Sequence, residues 1–273
     1  MVRYLFILYF YSSWLEVNGQ MISAATPAYF SRLNGYSQNF ADVFSITGNP
    51  AAAVLLDAPT FGVAVERRFM LSELNQYLLA GIYPTKLGGL GFQLHYFGYP
   101  GYRNIEPAIG YARKLGVADL GIKFSYRLVS IPGYGNRASI IPELGALWHL
   151  SEKVHTGFKI YHPFSNLGKT GASERFGYNY SATLGYEVSP LVFLGISISK
   201  EEEREAEIAT GLQYQFEKQF FAAIGISTPD AQARLGTGWR WQSLRVEVTA
   251  SWHFRLGITP GFLLIYQPMK TSK

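Results

Sequence analysis

The stretch Gly89 to Phe97, GLGFQLHYF, alternates in polarity from one residue to the next. In an extended chain its leucines and aromatic residues fall on one side, and its glycine, amide and imidazole groups fall on the other. The same alternation returns in Ala118 to Leu128 and in Leu244 to Phe254. Each of these segments predicts a β-strand with one apolar and one polar face.

Segments of this kind repeat from Thr60 to Tyr266, separated by turn residues. Hydrophobic residues make up 48% of the chain and charged residues only 16%, against roughly 25% charged residues in ordinary domains. A surface that faces lipid explains this deficit, yet beyond the N-terminus no uncharged apolar run reaches the roughly 18 residues of a spanning helix. We therefore predict an all-β fold, a transmembrane antiparallel β-barrel formed by residues 60–273.

Tight and longer connections alternate along this region, which orients the predicted barrel. The tight connections are Thr85 to Leu87, Lys114 to Val117, Ser151 to Lys153, Ser189 to Pro190, Glu217 to Gln219 and Gln242 to Ser243. The longer ones contain Gly98 to Gly101, Pro132 to Gly135, His162 to Phe176 and Glu201 to Glu205. Bacterial barrels place short turns in the periplasm, so we expect about fourteen strands with both termini periplasmic.

The N-terminus predicts export. Residues 1–19 have the form of a signal peptide, with Arg3, an apolar core from Tyr4 to Leu15, and a small-residue cleavage site ending at Gly19. Cleavage near residue 19 and a barrel fold together predict the outer membrane of a Gram-negative bacterium as the location of the protein.

Residues 20–59 lack the alternation and are rich in Ala, Ser, Asn and Gly. Many glycines fall on the polar faces of the strands: Gly62, Gly91, Gly110, Gly121, Gly145, Gly157, Gly185, Gly211 and Gly236. Glycine within a strand marks a bend or a close backbone approach. Two explanations stay open, a strongly curved wall or an N-terminal plug that packs against it.

A short motif links these residues to a known family. Gly48-Asn49-Pro50-Ala51 stands between the Ala/Ser-rich segment and the first strand, and here the chain resembles the long-chain fatty-acid transporter superfamily of barrels. Segments such as Tyr96 to Tyr99 and Ile131 to Gly135 are most similar to the type IX secretion barrels of the PorV/PorQ type. The resemblance implies that residues 20–59 form an N-terminal hatch inside a barrel of fourteen strands.

Charges of both signs fall on the polar faces of the strands, in similar numbers. The acidic residues are Glu66, Glu106, Glu143, Glu187, Glu207 and Glu247, and the basic ones are Lys123, Arg127, Lys159, Arg234 and Arg245. An open pore could use such charges to select ions, whereas a filled barrel needs them as hydrogen-bonded pairs because unpaired buried charge is costly. We favour the filled barrel.

Candidate catalytic and metal-binding residues do not form a recognisable set. The five histidines fall on different predicted strands or loops without metal-ligand spacing, cysteine is absent, and no serine, histidine and acid motif appears. We predict no enzyme activity, no metal site and no cofactor. The net charge of +5 is dispersed, so nucleic acid is not an expected partner.

Two functions remain. In the first, the barrel is an accessory or scaffolding subunit of an envelope complex for protein secretion or outer-membrane assembly, with lipid and other envelope proteins as partners. Tyr99, Tyr102 and Tyr134 are candidate contacts for such a partner, because aromatic residues are enriched at interface hot spots. The alternative, which the superfamily resemblance implies, is a hatch-gated transporter of hydrophobic small molecules such as fatty acids.

Overall fold

The computed structural model describes residues 36–37, 39–162, 178–202, 204–216, 219–228 and 231–268. The predicted signal peptide, and residues 20–35 of the predicted hatch, lie outside the described residues. So does nearly all of the connection predicted from His162 to Phe176.

In the described residues, fourteen strands form one closed barrel in which every strand pairs antiparallel with its neighbours in sequence and β1 pairs with β14. The strands are β1 (Thr60–Arg67), β2 (Asn75–Thr85), β3 (Gly88–Tyr99), β4 (Tyr102–Leu115), β5 (Ala118–Ile131), β6 (Gly135–His149), β7 (Val154–Tyr161), β8 (Asn179–Ser189), β9 (Val192–Glu201), β10 (Glu207–Phe216), β11 (Phe220–Ser227), β12 (Gln232–Trp241), β13 (Leu244–His253) and β14 (Gly257–Tyr266). The predicted all-β barrel and its strand number are confirmed.

The alternation in the sequence becomes the two faces of the wall. In β3, Leu90, Phe92 and Leu94 are exposed on the outside, while Gly91 and Gln93 are buried on the inside. Register holds this arrangement around the barrel, because a slip by one residue would turn every apolar side chain of a strand inward. The outer surface is therefore apolar along its whole circumference, as a lipid-facing barrel requires.

Five of the six tight connections lie where they were predicted, at the end of the barrel that also holds the start of β1 and the end of β14. Most of the sixth, Glu217 to Gln219, lies outside the described residues. Two of the connections expected to be longer are short as well. Only Pro100 and Gly101 separate β3 from β4, because Tyr99 and Tyr102 still pair across the two strands. Aromatic residues favour extended pairing, which prolongs these strands beyond the expected loop boundary.

Before β1, the described residues contain two short helical pieces, α1 (Ser45–Gly48) and a 3₁₀ turn (Pro50–Val54). Within the described part of the chain, no helix is long and apolar enough to cross a membrane. The buried apolar core joins these pieces to the inner faces of the neighbouring strands through residues such as Val43, Phe44, Ile82 and Leu263.

Candidate functional site: the inner segment and the lumen wall

Residues 39–59, here called the inner segment, lie against the inner face of the wall. The 3₁₀ turn contacts β2 to β6, and Ile46, Ala51, Ala52 and Ala53 are almost completely buried. These apolar side chains share one buried cluster with side chains of the barrel wall. The candidate site is built from this segment and from the polar side chains around it.

Asn49, in the Gly48-Asn49-Pro50-Ala51 motif, connects the inner segment to the wall. Its Oδ1 accepts a hydrogen bond from Ala51 N at 3.0 Å and so caps the 3₁₀ turn. Its Nδ2 donates to the carbonyl oxygens of Ala146 at 3.2 Å and of Phe158 at 3.0 Å. Pro50 follows at the first helical position, where a missing N–H costs nothing. The buried amide thus caps the turn with one hydrogen bond and joins it to β6 and β7 with two.

Three wall glycines leave the space that this contact needs. A Cβ atom at Gly145 would lie 2.0 Å from Asn49 Oδ1, one at Gly121 would lie 2.4 Å from Ala51 N, and one at Gly89 would lie 2.0 Å from Ala53 O. No side chain tolerates such distances, so glycine is required for the backbone to approach the wall.

Not every predicted inward glycine has this role. Gly62, Gly91 and Gly157 also face N-terminal residues, namely Phe44, Ile46 and Tyr36. A Cβ at Gly110 would instead meet the backbone and side chain of β5, and one at Gly185 would meet Phe193 of β9.

Further contacts join the start of the inner segment to the other half of the barrel. Asn39 Nδ2 donates to Glu187 Oε2 at 2.9 Å, and the rings of Phe40 and Phe193 lie 5.3 Å apart. Across the lumen, Arg245 forms an ion pair with Asp42 at 3.5 Å. The inner segment therefore contacts β8, β9 and β13 as well as β2 to β6.

The predicted lumen charges of β4 to β6 form pairs. Lys123 Nζ lies 2.8 Å from Glu143 Oε1 and also donates to Gln93. Arg127 donates to Glu106 Oε2 at 2.7 Å and to the hydroxyl of Tyr161 at 2.7 Å.

Lys159 lies near Lys123 and Glu143 and interacts with both electrostatically. In the described residues no carboxylate lies within ion-pair distance of its amine.

The other predicted charges lie on the far strands. Arg245 pairs with Glu247, and its guanidinium lies 4.2 Å above the ring of Phe221. Arg234 lies 3.7 Å from Glu207 near the opposite mouth.

Glu66 is buried on β1, beside Arg68 of the following turn. Burial lowers the pKa of Arg68, and the negative charge of Glu66 opposes this effect.

Four side chains that the sequence analysis did not group form a row at the short-turn end of the lumen: Asp119, His149, His155 and Glu187. His149 and His155 pair across β6 and β7 with their Nδ1 atoms 2.9 Å apart. His149 Nε2 lies 2.9 Å from Asp119 Oδ2, and His155 Nε2 lies 3.6 Å from Glu187 Oε1. When both imidazoles are neutral, His149 Nε2 donates to Asp119 and His149 Nδ1 accepts from His155 Nδ1.

The two histidines stand at equal distances from Glu152 in the predicted turn. That symmetry is the signal that could have predicted the pair from the sequence.

The tyrosines proposed as partner contacts lie at the opposite end of the barrel. Tyr99 and Tyr102 end their strands and stack with ring centroids 6.3 Å apart, so they are strand residues and not loop residues. Tyr134 lies in the turn after β5 and is 89% exposed.

Ser125 is buried, and among the described residues its hydroxyl has no hydrogen-bond partner. In the described ranges, no three acidic or histidine side chains are placed to hold a metal ion. What the geometry provides is a packed inner segment and paired charges, an arrangement suited to closing a barrel.

The fold has a counterpart among solved structures. The Pseudomonas putida toluene transporter TodX matches with a TM-score of 0.58 and 8% identity, over 82% of this chain and 92% of that chain. A mutant Rh. blastica porin (TM-score 0.45, 9% identity, 77% of this chain and 97% of that chain) and the KdgM porin (0.43, 13%, 76% and 98%) overlap too loosely to support an inference. No protein-family model and no curated protein matches the sequence. The likeness to TodX establishes the barrel fold alone.

Proposed function

We propose that this chain is a non-enzymatic outer-membrane barrel, closed by its N-terminal segment, that serves as an accessory or scaffolding subunit of an envelope complex. The apolar outer surface supports the membrane location, because fifty or so exposed apolar side chains would be unfavourable in water. Protein secretion of the type IX kind, or outer-membrane assembly, is the process that the sequence resemblance suggests.

The contact of the inner segment with the wall glycines is the observation that carries this proposal. The inner segment approaches Gly145 of β6 so closely that a Cβ atom there would lie 2.0 Å from Asn49 Oδ1. No path therefore remains between the segment and β6 at this point. A conducting pore needs the opposite, a lumen lined by accessible groups. A barrel closed by the inner segment does not conduct. Its two exposed ends are then the surfaces available for binding other proteins.

Transport of a hydrophobic molecule is the second candidate, supported by the fold likeness to a toluene transporter. It requires an apolar cavity within the lumen. Around the inner segment, the described wall presents glycine, amides and ion pairs, and the recess between Ile46, Gly91 and Lys123 has a volume of only about 10 Å³. That is the size of one water molecule. A larger recess of about 340 Å³ lies between the inner segment and β12 to β14, but its lining includes the charged side chains of Asp42, Arg240 and Arg245. The described lumen therefore favours the subunit role.

Gentle detergent extraction followed by native mass spectrometry tests the choice. We expect the barrel in a stable complex with other envelope proteins, through an interface of at least about 1,000 Å². Recovery as a monomer with an apolar molecule in the lumen would reverse the ranking in favour of transport.

A further inference from the structure

The turns that join β2 to β3, β4 to β5, β6 to β7 and β8 to β9 form what we call the turn arc. Each places an aliphatic side chain at the surface: Leu87 is 72% exposed, Val117 72%, Leu150 66% and Leu191 44%. Tight turns usually carry glycine, asparagine, aspartate or serine. These four turns follow one another around the wall, so their aliphatic side chains form an apolar edge along one side of the barrel end.

An aromatic band separates this edge from the hydrocarbon. Tyr83, Tyr111, Trp148 and Tyr186 face outward on the strands, a few residues before the turns. Aromatic rings in such a band lie at the lipid headgroups. The aliphatic side chains of the turn arc lie beyond the band, on its aqueous side, and lipid tails therefore do not cover them.

Hydrogen bonds between neighbouring turns and strands hold the turn arc in one shape. The hydroxyl of Tyr111 donates to Leu87 O at 2.8 Å, and the N–H groups of His149, Glu187 and Gln215 donate to the carbonyl oxygens of Val117, Lys153 and Leu191 at 3.0, 2.8 and 2.8 Å. A surface that is already rigid loses little conformational entropy when it binds. The turn arc thus has the preorganisation of an interface.

Its charges are mainly basic. Lys86, Lys114 and Lys153 are exposed beside the aliphatic side chains, and the one acidic residue in these turns is Glu152. Among the residues that the structure describes, none of the three lysines has a carboxylate within ion-pair distance. The two remaining turns at this end, Glu217 to Gln219 and Gln242 to Ser243, contain no aliphatic residue. The first of these contains Lys218 beside Glu217, so it is the aliphatic character that is confined to one side of the barrel end.

We propose that the turn arc docks a protein through a segment that combines aliphatic and acidic side chains. The proposal rests on the proposed function as a subunit and names the surface and the partner chemistry. Aliphatic groups on the aqueous side of the aromatic band are beyond the lipid tails, so we expect a protein to cover them. Lysines without a carboxylate partner favour acidic residues in that protein. Tyr99, Tyr102 and Tyr134, at the other end, are not needed for this contact.

Site-specific crosslinking tests the surface directly, and the absence of native cysteine makes each label unique. Val117→Cys and Leu150→Cys, carrying a benzophenone maleimide, are compared with Ser243→Cys in a polar turn of the same end and Tyr134→Cys at the opposite end. Irradiation in native membranes is expected to join the first two positions to one protein, through a peptide rich in aspartate, glutamate and aliphatic residues. The two control positions should not form this adduct.

Charge reversal is the second arm. The triple variant Lys86→Glu, Lys114→Glu, Lys153→Glu should reduce adduct yield about tenfold at unchanged barrel abundance. Equal adducts from Ser243→Cys, adducts with phospholipid instead of protein, or a yield that ignores charge reversal would each overturn the inference. If the complex is recovered but the turn arc forms no adduct, the inference fails and the proposed function stands. If the unlabelled barrel is recovered as a monomer, the proposed function itself fails.

Discussion

Adding one methyl group at Gly145 should loosen the inner segment. The new Cβ would lie 2.0 Å from Asn49 Oδ1 and 2.8 Å from Pro50 Cδ, so the asparagine has to move. It then loses its hydrogen bonds with Ala51, Ala146 and Phe158. Only the bonds to Ala146 and Phe158 join the segment to the wall, so at roughly 1 kcal/mol each Gly145→Ala weakens the docking of the segment by about 2 kcal/mol. The population of detached segment should rise about 30-fold.

A buried reporter cysteine measures that population. Ala53 is 1% exposed, so Ala53→Cys reacts with a water-soluble maleimide only when the segment detaches. Labelling should be about 30-fold faster in Gly145→Ala. Gly91→Ala is the matched control, since its Cβ would lie 3.3 Å from the flexible end of Ile46, and labelling should change less than about threefold. Equal rates in both variants, with both barrels folded by heat-modifiable gel migration, would refute the reasoning.

Three further predictions concern the same structure. Asn49→Ala should speed labelling of the reporter cysteine as strongly as the methyl group does, because it removes the same hydrogen bonds; an unchanged rate would contradict this. Arg127→Gln alone should destabilise the barrel by about 3–5 kcal/mol, since it leaves Glu106 buried without its cation, and Glu106→Gln in the same protein should recover part of the loss in thermal unfolding. In intact cells, Glu202→Cys should react with an impermeant maleimide and Lys153→Cys should not; equal labelling would argue against the orientation.

The alternation of polar and apolar residues was sufficient to predict the strands of the barrel wall. The two-residue period in Gly89 to Phe97 reflects the strand geometry itself, and the tight turns follow from residues such as Gly116 and Pro190 that end a strand. The length of the other hairpins was less predictable, because Pro100-Gly101 could close a short turn or a longer loop. Pairing between Tyr99 and Tyr102 decides that question, and it depends on both strands together.

Contacts between distant parts of the chain were not predictable in the same way. The glycines of the wall indicated a close approach, but not that Gly145 would face Asn49 while Gly185 would face its own neighbouring strand. Likewise, inward charges on β4 and β5 indicated pairing, yet the partner of Arg127 is set by the stagger between the strands. The contact between His149 and His155 depends on the hairpin register; their equal spacing about Glu152 indicates the pair, but the acids beside it come from other strands.

Electrical conductance of the purified full-length protein in a planar bilayer tests closure by the inner segment most directly. The packing of Ala51 to Ala53 on the glycine-lined wall predicts no steady current from the intact protein, and an open current once residues 36–58 are deleted. A large steady current from the intact barrel, or a deletion variant that folds and stays closed, would contradict the account.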